Sequence, residues 1–97
     1  MGEALEIAGA GGGAIHVDLD VDVCDRSVAP GCPASIPGGI QAHELRLAAR
    51  LLAADPRVRG LDIAEVDATA DARDGRTVRL AALLVLEAAA GLASRLR

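Results

Sequence analysis

The stretch His16-Val17-Asp18-Leu19-Asp20-Val21-Asp22-Val23-Cys24-Asp25 alternates aliphatic residues with polar and mostly acidic ones. Alternation with period two is typical of a β-strand, because successive side chains point to opposite faces of a sheet. A strand over about 14–22 would therefore place aliphatic side chains on one face and a file of carboxylates on the other. Like charges at this spacing repel one another, which indicates either a solvated face or a bound cation.

The composition is that of one small domain without aromatic residues. Of the 97 residues 52% are apolar, and none is Phe, Tyr or Trp, so the core must be built from Ala, Leu, Val and Ile. The net charge of −4 comes with no basic stripe, which argues against a nucleic-acid partner. No uncharged run approaches the ~20 residues that cross a bilayer, and no secretion signal is visible. We therefore expect no membrane partner and a cytoplasmic protein.

The remaining segments predict alternating helices and strands. In chain order these are a helix over 2–8, an ordered Pro/Gly loop over 26–39, a helix over 41–54, a strand over 58–66 and an apolar helix over 74–97. Two strands joined by a helix form a parallel β-α-β crossover. Two strands and two long helices cannot cover both faces of a parallel sheet. We therefore predict an α/β chain, a partial three-layer αβα fold that is incomplete in this chain, with its last helix buried.

The cysteines and histidines are interpreted as structural. Cys24 and Cys32 match no zinc spacing and are expected to be reduced thiols that pack as small loop side chains. His16 belongs to the strand pattern and is expected to be a hydrogen-bonded strand residue. His43 lies among polar residues of a predicted helix and is expected at the surface.

Three simple motifs fail on this chain. A helix-loop-helix calcium site that starts at Asp18 needs glycine at its sixth position and glutamate at its twelfth, where the chain has Val23 and Ala29. A phosphotransfer D-x-D strand needs Thr or Val two residues after its second acid, and neither possible frame supplies one. The glycine-rich segment 9–14 fits a relaxed dinucleotide fingerprint, but it precedes a strand instead of following one.

A further pattern accounts for most of the chain. Asp20-x-Asp22-x-x-Asp25, then Pro30-Gly31, then Gly38-Gly39-Ile40 resembles the C-terminal signature of the ureohydrolase family: arginases, agmatinases and formimidoylglutamases. Residues 62–67 look like that family's acidic strand end, and residues 71–80 look like the segment that opens its last helix. The resemblance covers about residues 14–94.

Four positions depart from the family pattern. Arg26 stands where the family commonly has proline, Asp18 where it usually has serine, and Asp67-Ala68 where it has Asn-Pro. These departures bear on the subfamily more than on the family.

The resemblance implies an arginase-like hydrolase with two Mn²⁺ ions. Asp20 would bridge both ions and Asp22 would bind one, which suits the preference of hard divalent ions for carboxylate oxygen. Two ions about 3.5–4 Å apart can convert a shared water into a hydroxide that attacks an amidine or guanidine carbon. Glu65 would bind the cationic head of this small-molecule substrate. No residue is assigned as a catalytic acid or base.

The roles of three acids remain open at this point. Asp18 is either a further ligand or a solvated acid. Asp25 is expected to organise the following loop by accepting backbone N–H bonds. Glu65 either binds the substrate or forms a structural salt bridge with an arginine.

The chain lacks the upstream histidine and aspartate motifs that complete the family's metal ligands. We therefore expect residues 1–97 to be the C-terminal portion of an arginase-like domain that cannot assemble the binuclear centre alone. Loop 23–35 looks most like that of the formimidoylglutamases, and this resemblance implies formimidoylglutamate hydrolysis in histidine breakdown, with agmatinase or arginase-type hydrolysis as the alternative. The complete enzyme is expected to be a homo-oligomer. The alternative that is not catalytic is an interaction module or a truncated, inactive subunit.

Overall fold

Two parallel strands and two long helices packed on one of their faces form the centre of the structure, a computed structural model that describes residues 1–96. The elements in chain order are α1 (Gly2–Ala8), β1 (Ile15–Asp20), a 3-10 turn (Val21–Val23), α2 (Ala42–Ala54), β2 (Val58–Ala64), a second 3-10 turn (Ala68–Ala70) and α3 (Arg76–Ser94). The predicted α/β class and the parallel β-α-β unit are confirmed.

The register of β1 and β2 separates an apolar face from a polar one. Leu19 pairs with Ile63 on the face that joins the core, while Asp18 pairs with Asp62 on the opposite, exposed face. Paired residues of neighbouring strands share a face because side chains alternate along each strand. The helices α2 and α3 both pack on the apolar face. Within residues 1–96 the structure is therefore one helical layer on a two-stranded sheet, which is the predicted partial fold.

The core contains only small and aliphatic side chains. Its buried members come from β1 and the turn after it, the Pro/Gly loop and two helices: Leu19, Val21, Cys24, Ala29, Cys32, Leu45, Ala49, Leu80 and Leu84. Leu61 and Ile63 of β2 are partly buried against them. Both cysteines are free and fully buried, so their predicted role as packing residues is confirmed. The helices α2 and α3 approach closely at Gly91, where a Cβ atom would overlap the carbonyl oxygen of Arg50.

Both strands are shorter than the pattern predicts. β1 was expected to reach residue 22, but it ends at Asp20, whose carboxylate accepts the backbone N–H of Asp22 and starts the 3-10 turn. The expectation that Asp18, Asp20 and Asp22 lie in one file along a strand is therefore wrong at Asp22. β2 ends at Ala64 instead of residue 66, because Glu65 adopts a left-handed backbone with φ of 71°.

The last helix is less buried than expected. α3 begins at Arg76 and ends at Ser94, and Arg97 lies outside the described residues. Val85 is 57% exposed and Leu86 is 64% exposed, so the prediction of burial all round is wrong. By length and composition alone, α3 could also cross a membrane, contrary to the expectation from its uncharged runs. This is a weak indication, since core helices of soluble proteins pass the same test, and the absence of a membrane partner stays a prediction.

Candidate metal and substrate site

Asp20 and Asp22 lie together where β1 ends. Between them the side chain of Val21 is fully buried, which anchors the turn and leaves the two partly exposed acids on its outer side. Asp20 Oδ1 accepts the backbone N–H of Asp22 at 3.0 Å. Partial burial, a hydrogen bond with Asp20 and the charges of Asp20 and Glu65 raise the pKa of Asp22. The turn therefore concentrates negative charge, since Asp20, Asp22 and Glu65 are all acidic.

Glu65 joins this group from the end of β2. Because β1 and β2 are parallel neighbours, their carboxyl ends meet at one edge of the sheet, and the Glu65 carboxylate is near enough to act on Asp22. Its left-handed backbone is uncommon for a residue with a side chain and is often found at functional sites. None of the ion pairs found within residues 1–96 includes Glu65. The alternative role in an arginine salt bridge is therefore not observed there.

The chemistry of these carboxylates suits a hard divalent cation. The acidic neighbours raise the pKa of Asp22. A cation beside Asp22 would lower that pKa, because an opposite charge favours the ionised carboxylate. Carboxylate oxygens are the ligands that Mg²⁺, Ca²⁺ and Mn²⁺ prefer. Among residues 1–96, however, no group of three or more His, Cys, Asp and Glu side chains is arranged to hold a metal ion. Asp20 and Asp22 could therefore supply only part of a ligand set.

Asp18 belongs to a different cluster, on the polar face of the sheet. Its neighbour across the strands is Asp62, which also lies 2.6 Å from Nε2 of His16. Hydrogen bonds from His16 and Asp18 lower the pKa of Asp62, and the hydrogen bond with Asp62 raises the pKa of Asp18. His16 is thus the hydrogen-bonded strand residue that was predicted, and His43 is exposed as expected.

Asp25 organises the loop that follows the site, as predicted. Its carboxylate accepts the backbone N–H of Ser27 at 3.0 Å and that of Gly38 at 2.7 Å, and also the hydroxyl of Ser27. These bonds favour the ionised form and lower its pKa to about 2. The two ends of the loop contact each other at Gly39, where a Cβ atom would lie only 2.5 Å from the backbone of Asp25.

Arg26 closes the same loop from its other side. Its guanidinium donates hydrogen bonds to the carbonyl oxygens of Cys32, Pro33 and Ser35 over 3.2–3.3 Å. The carbonyl oxygen of Cys32 also accepts the hydroxyl of Ser35 at 2.9 Å, so Arg26 adds a second side-chain donor there and bridges three carbonyl groups of one loop. The arginine that replaces the family's proline is therefore a structural residue of the loop.

A buried polar connection behind the site was not predicted from the sequence. Thr77, fully buried at the start of α3, accepts the backbone N–H of Gly31 at 2.8 Å. The backbone N–H of Asp67 donates to the carbonyl oxygen of Gly31 at 2.7 Å. Asp71 in turn accepts the backbone N–H groups of Thr77 and Val78 and so caps α3. The N-cap position itself is Gly75, so neither the reach of Asp71 from four residues earlier nor the bond from Gly31 to Thr77 has a signal in the sequence.

Comparison with known proteins assigns the family. A sequence profile of the arginase family matches residues 1–91. The chain belongs to the arginase family. It is 47% identical to the formimidoylglutamase of Bacillus subtilis (strain 168) over 78 residues, which are 80% of this chain and 24% of that relative. It is 41% identical to the arginase of Agrobacterium fabrum over 68 residues, 70% of this chain and 21% of the relative. The chain thus spans about a quarter of the length of these curated relatives.

Solved structures of arginase-family enzymes show the same fold. The crystal structure of formimidoylglutamase from Bacillus subtilis superposes with a TM-score of 0.86 at 42% identity, over 95% of this chain and 29% of that one. Trypanosoma cruzi formiminoglutamase, crystallised in its oxidized form with Mn²⁺ at pH 8.5, gives a TM-score of 0.82 at 26% identity, over 96% of this chain and 32% of that one. The predicted ureohydrolase family and arginase-like fold are confirmed.

Proposed function

We propose that residues 1–97 are the C-terminal portion of a manganese-dependent hydrolase of formimidoylglutamate that acts in histidine breakdown in the cytoplasm. The observation that carries this proposal is the meeting of Asp20, Asp22 and Glu65 at the carboxyl ends of two neighbouring parallel strands. Open parallel sheets bind ligands at this edge. The relatives with 46–47% identity are formimidoylglutamases, which supports the choice of substrate.

Each acid has a separate task in the proposed site. Asp20 and Asp22 would hold Mn²⁺ together with ligands from outside this chain. Bound Mn²⁺ supplies a hydroxide from water near neutral pH. The N–H of Asp22 fixes one oxygen of Asp20, so the orientation of that carboxylate is set before any ion binds. Glu65 would pair with the cationic formimidoyl group through charge-assisted hydrogen bonds.

Two other functions have specific support. An arginase from Agrobacterium fabrum is 41% identical, so hydrolysis of a guanidine such as arginine is the second candidate, and agmatine is a further substrate of the same class. The described residues 1–96 also supply only part of a ligand set. The candidate that is not an enzyme is therefore a non-catalytic or inactive subunit. A homo-oligomer of the complete enzyme stays part of the proposal.

A chimeric enzyme would test the proposal. Residues 14–94 would replace the corresponding segment of the Bacillus subtilis formimidoylglutamase, and hydrolysis of formimidoylglutamate, arginine and agmatine would be measured with Mn²⁺. We expect activity on formimidoylglutamate, lost by a factor of about 10³ or more in Asp20→Asn, because a ligand to the ion is removed. Asp18→Asn is the matched control, since Asp18 lies with Asp62 on the sheet face.

The outcomes separate the candidates. A preference for arginine or agmatine would replace the proposed substrate while keeping the hydrolase. A folded chimera that binds Mn²⁺ but hydrolyses none of the three compounds would favour the inactive subunit. Equal losses in Asp18→Asn and Asp20→Asn would contradict the assignment of the ligands.

A further inference from the structure

A groove with a volume of about 300 Å³ opens between the first turns of α2 and α3. Its lining has a charged part and an aliphatic part. The charged part consists of Arg46, Arg76 and Arg79, and the aliphatic part of Val28, Ala42, Leu80 and Leu83. Among residues 1–96, no acidic side chain lines it. We call these seven residues the arginine groove.

The arginines gather here because both helices begin at the same end of the molecule. α2 and α3 each follow one of two parallel strands, so they run in the same direction. Ala42 at the start of α2 lines the groove with Leu80, whereas Ala53 near its end lies beside Gly91. Arg76 is the first residue of α3. The positive ends of both helix dipoles therefore lie near the groove and add to the charge of its arginines.

Arg76 is held in place by other residues of the chain. Its guanidinium donates to the Asp74 carboxylate at 3.1 Å and to the carbonyl oxygen of Ser27 at 3.1 Å. Ser27 belongs to the loop that follows Asp22. The charge of Arg76 is therefore paired, and its side chain forms a fixed wall of the groove.

The other two arginines lack hydrogen-bond acceptors. The side chain of Arg79 takes part in none of the hydrogen bonds and ion pairs found within residues 1–96. Arg46 approaches Glu87 only at 3.5 Å, and its Nε atom is buried without a hydrogen-bond partner. Arg50 already donates to Glu87 at 2.7 Å. The groove therefore holds two guanidinium groups, one from each helix, whose hydrogen-bonding capacity is unused.

The chemistry of the groove suits an organic anion. A guanidinium pairs with a carboxylate through two parallel N–H bonds, and its planar shape favours this geometry. Because Arg46 and Arg79 lie on different helices, a ligand with two carboxylates would engage both. The aliphatic lining, which includes Leu80 and Leu83, favours a hydrocarbon chain between those carboxylates over an inorganic ion. The volume is at the lower end of the range of small-molecule sites, about 300–1,000 Å³.

We propose that the arginine groove binds a short aliphatic dicarboxylate, with Arg46 holding one carboxylate and Arg79 the other. The hydrocarbon chain would lie on Leu80 and Leu83. Arg76 would add positive potential while keeping its bonds within the chain. The proposal requires no metal and depends on neither the substrate nor the activity proposed above.

Isothermal titration of the chain of 97 residues would test this proposal. Succinate, glutarate and adipate would be titrated in turn at about 0.15 M NaCl, where attraction between exposed charges is screened beyond about 8 Å. We expect at least one of them to bind one molecule per chain with a Kd of about 1 mM, because two charge-assisted pairs form. Sulfate should bind at least about 10-fold more weakly, since it cannot cover the aliphatic lining.

Substitutions of single arginines provide the specific test. Arg79→Gln removes a charge without breaking any bond within residues 1–96, and it should weaken dicarboxylate binding about 10-fold or more. Arg46→Gln should do the same, while Arg50 keeps Glu87 paired. Arg59→Gln is the matched control, because Arg59 is an exposed arginine of β2 outside the groove, and binding should change by less than about 2-fold. Circular dichroism would verify the helix content of each variant.

NMR of leucine methyl groups would locate the ligand. The dicarboxylate should shift the methyl signals of Leu83, and Arg79→Gln should abolish that shift. The proposal would be overturned if none of the three dicarboxylates bound, if sulfate bound as tightly, or if Arg59→Gln weakened binding as much as Arg79→Gln. Self-association of the chain that Arg79→Gln abolishes would show that a second copy occupies the groove, and would overturn it as well.

Discussion

Asp25 shows how one carboxylate can hold a loop that has little regular structure. It accepts hydrogen bonds from Ser27 and Gly38, which are eleven residues apart in sequence. Arg26 bonds three carbonyl groups inside the same loop. The two neighbours therefore satisfy donors and acceptors respectively, and the loop beside Asp20 and Asp22 is fixed by side chains.

The Asp25 carboxylate should make stability depend on pH. Its pKa falls from 3.8 to about 2 on folding, so its contribution is complete above the unfolded value and is lost as pH falls from about 4 towards 2. Asp25→Asn removes the ionisable group. We expect this variant to be less stable than wild type at pH 7 and to lose less stability between pH 4 and pH 2.

Urea unfolding at several pH values would measure this difference. Asp55, whose pKa is also about 2, remains in both proteins and provides the background slope. Parallel curves for wild type and Asp25→Asn would show that Asp25 does not contribute to the acid sensitivity.

Thr77 is the residue through which the loop reaches α3. Thr77→Val leaves the buried N–H of Gly31 without an acceptor, which should cost about 1–3 kcal/mol in the free energy of unfolding. Thr77→Ser keeps the hydroxyl. Exchange of the Gly31 amide, followed by NMR, should accelerate in the valine variant and stay slow in the serine variant. Equal protection in both would show that the bond from Gly31 is unimportant.

At the scale of elements, α3 has two sides with different tasks. Leu84 is fully buried against the strands and α2, whereas Leu86 is 64% exposed on the same helix. Leu84→Ala should cost about 2–5 kcal/mol because it leaves a cavity in a core without aromatic residues. Leu86→Ala should change stability by no more than about 0.5 kcal/mol. Thermal unfolding of both variants checks this, and similar losses would contradict the orientation of α3.

The order and type of the elements could be predicted, but their ends could not. Periodicity identified both strands and both long helices, because burial imposes it. The strand ends depend on single events: Asp20 capturing the N–H of Asp22, and the left-handed turn at Glu65. Side-chain hydrogen bonds of this kind compete with regular structure and leave no periodic trace in a sequence.

At the scale of the whole molecule, the sequence could indicate the edge where the site lies but not all of its neighbours. Asp20 ends β1, Asp22 lies in the turn after it and Glu65 follows β2, so their approach could be expected from parallel pairing. The pairing of Asp18 with Asp62 depends on the register of β1 against β2, which is fixed by tertiary packing. The exposed side of α3 was also missed, since an apolar sequence does not say what covers it.

Because its ligand set is incomplete, the isolated chain should bind Mn²⁺ weakly. Isothermal titration with Mn²⁺ should show no binding of two ions in the micromolar range, because hard divalent ions need about six oxygen or nitrogen ligands each. Asp20→Asn should reduce whatever weak binding is seen. Micromolar binding of two ions per chain would demonstrate that residues 1–97 form the binuclear centre alone.

The left-handed backbone of Glu65 has a consequence for how this protein tolerates mutation. Glycine adopts that conformation without steric penalty, whereas glutamate does so at a cost of about 1 kcal/mol. A change to glycine would therefore relax the chain and at the same time delete an acid from the rim of the sheet. At this position robustness and chemistry oppose each other, and a screen that selects only for heat resistance would drive the protein away from its proposed activity.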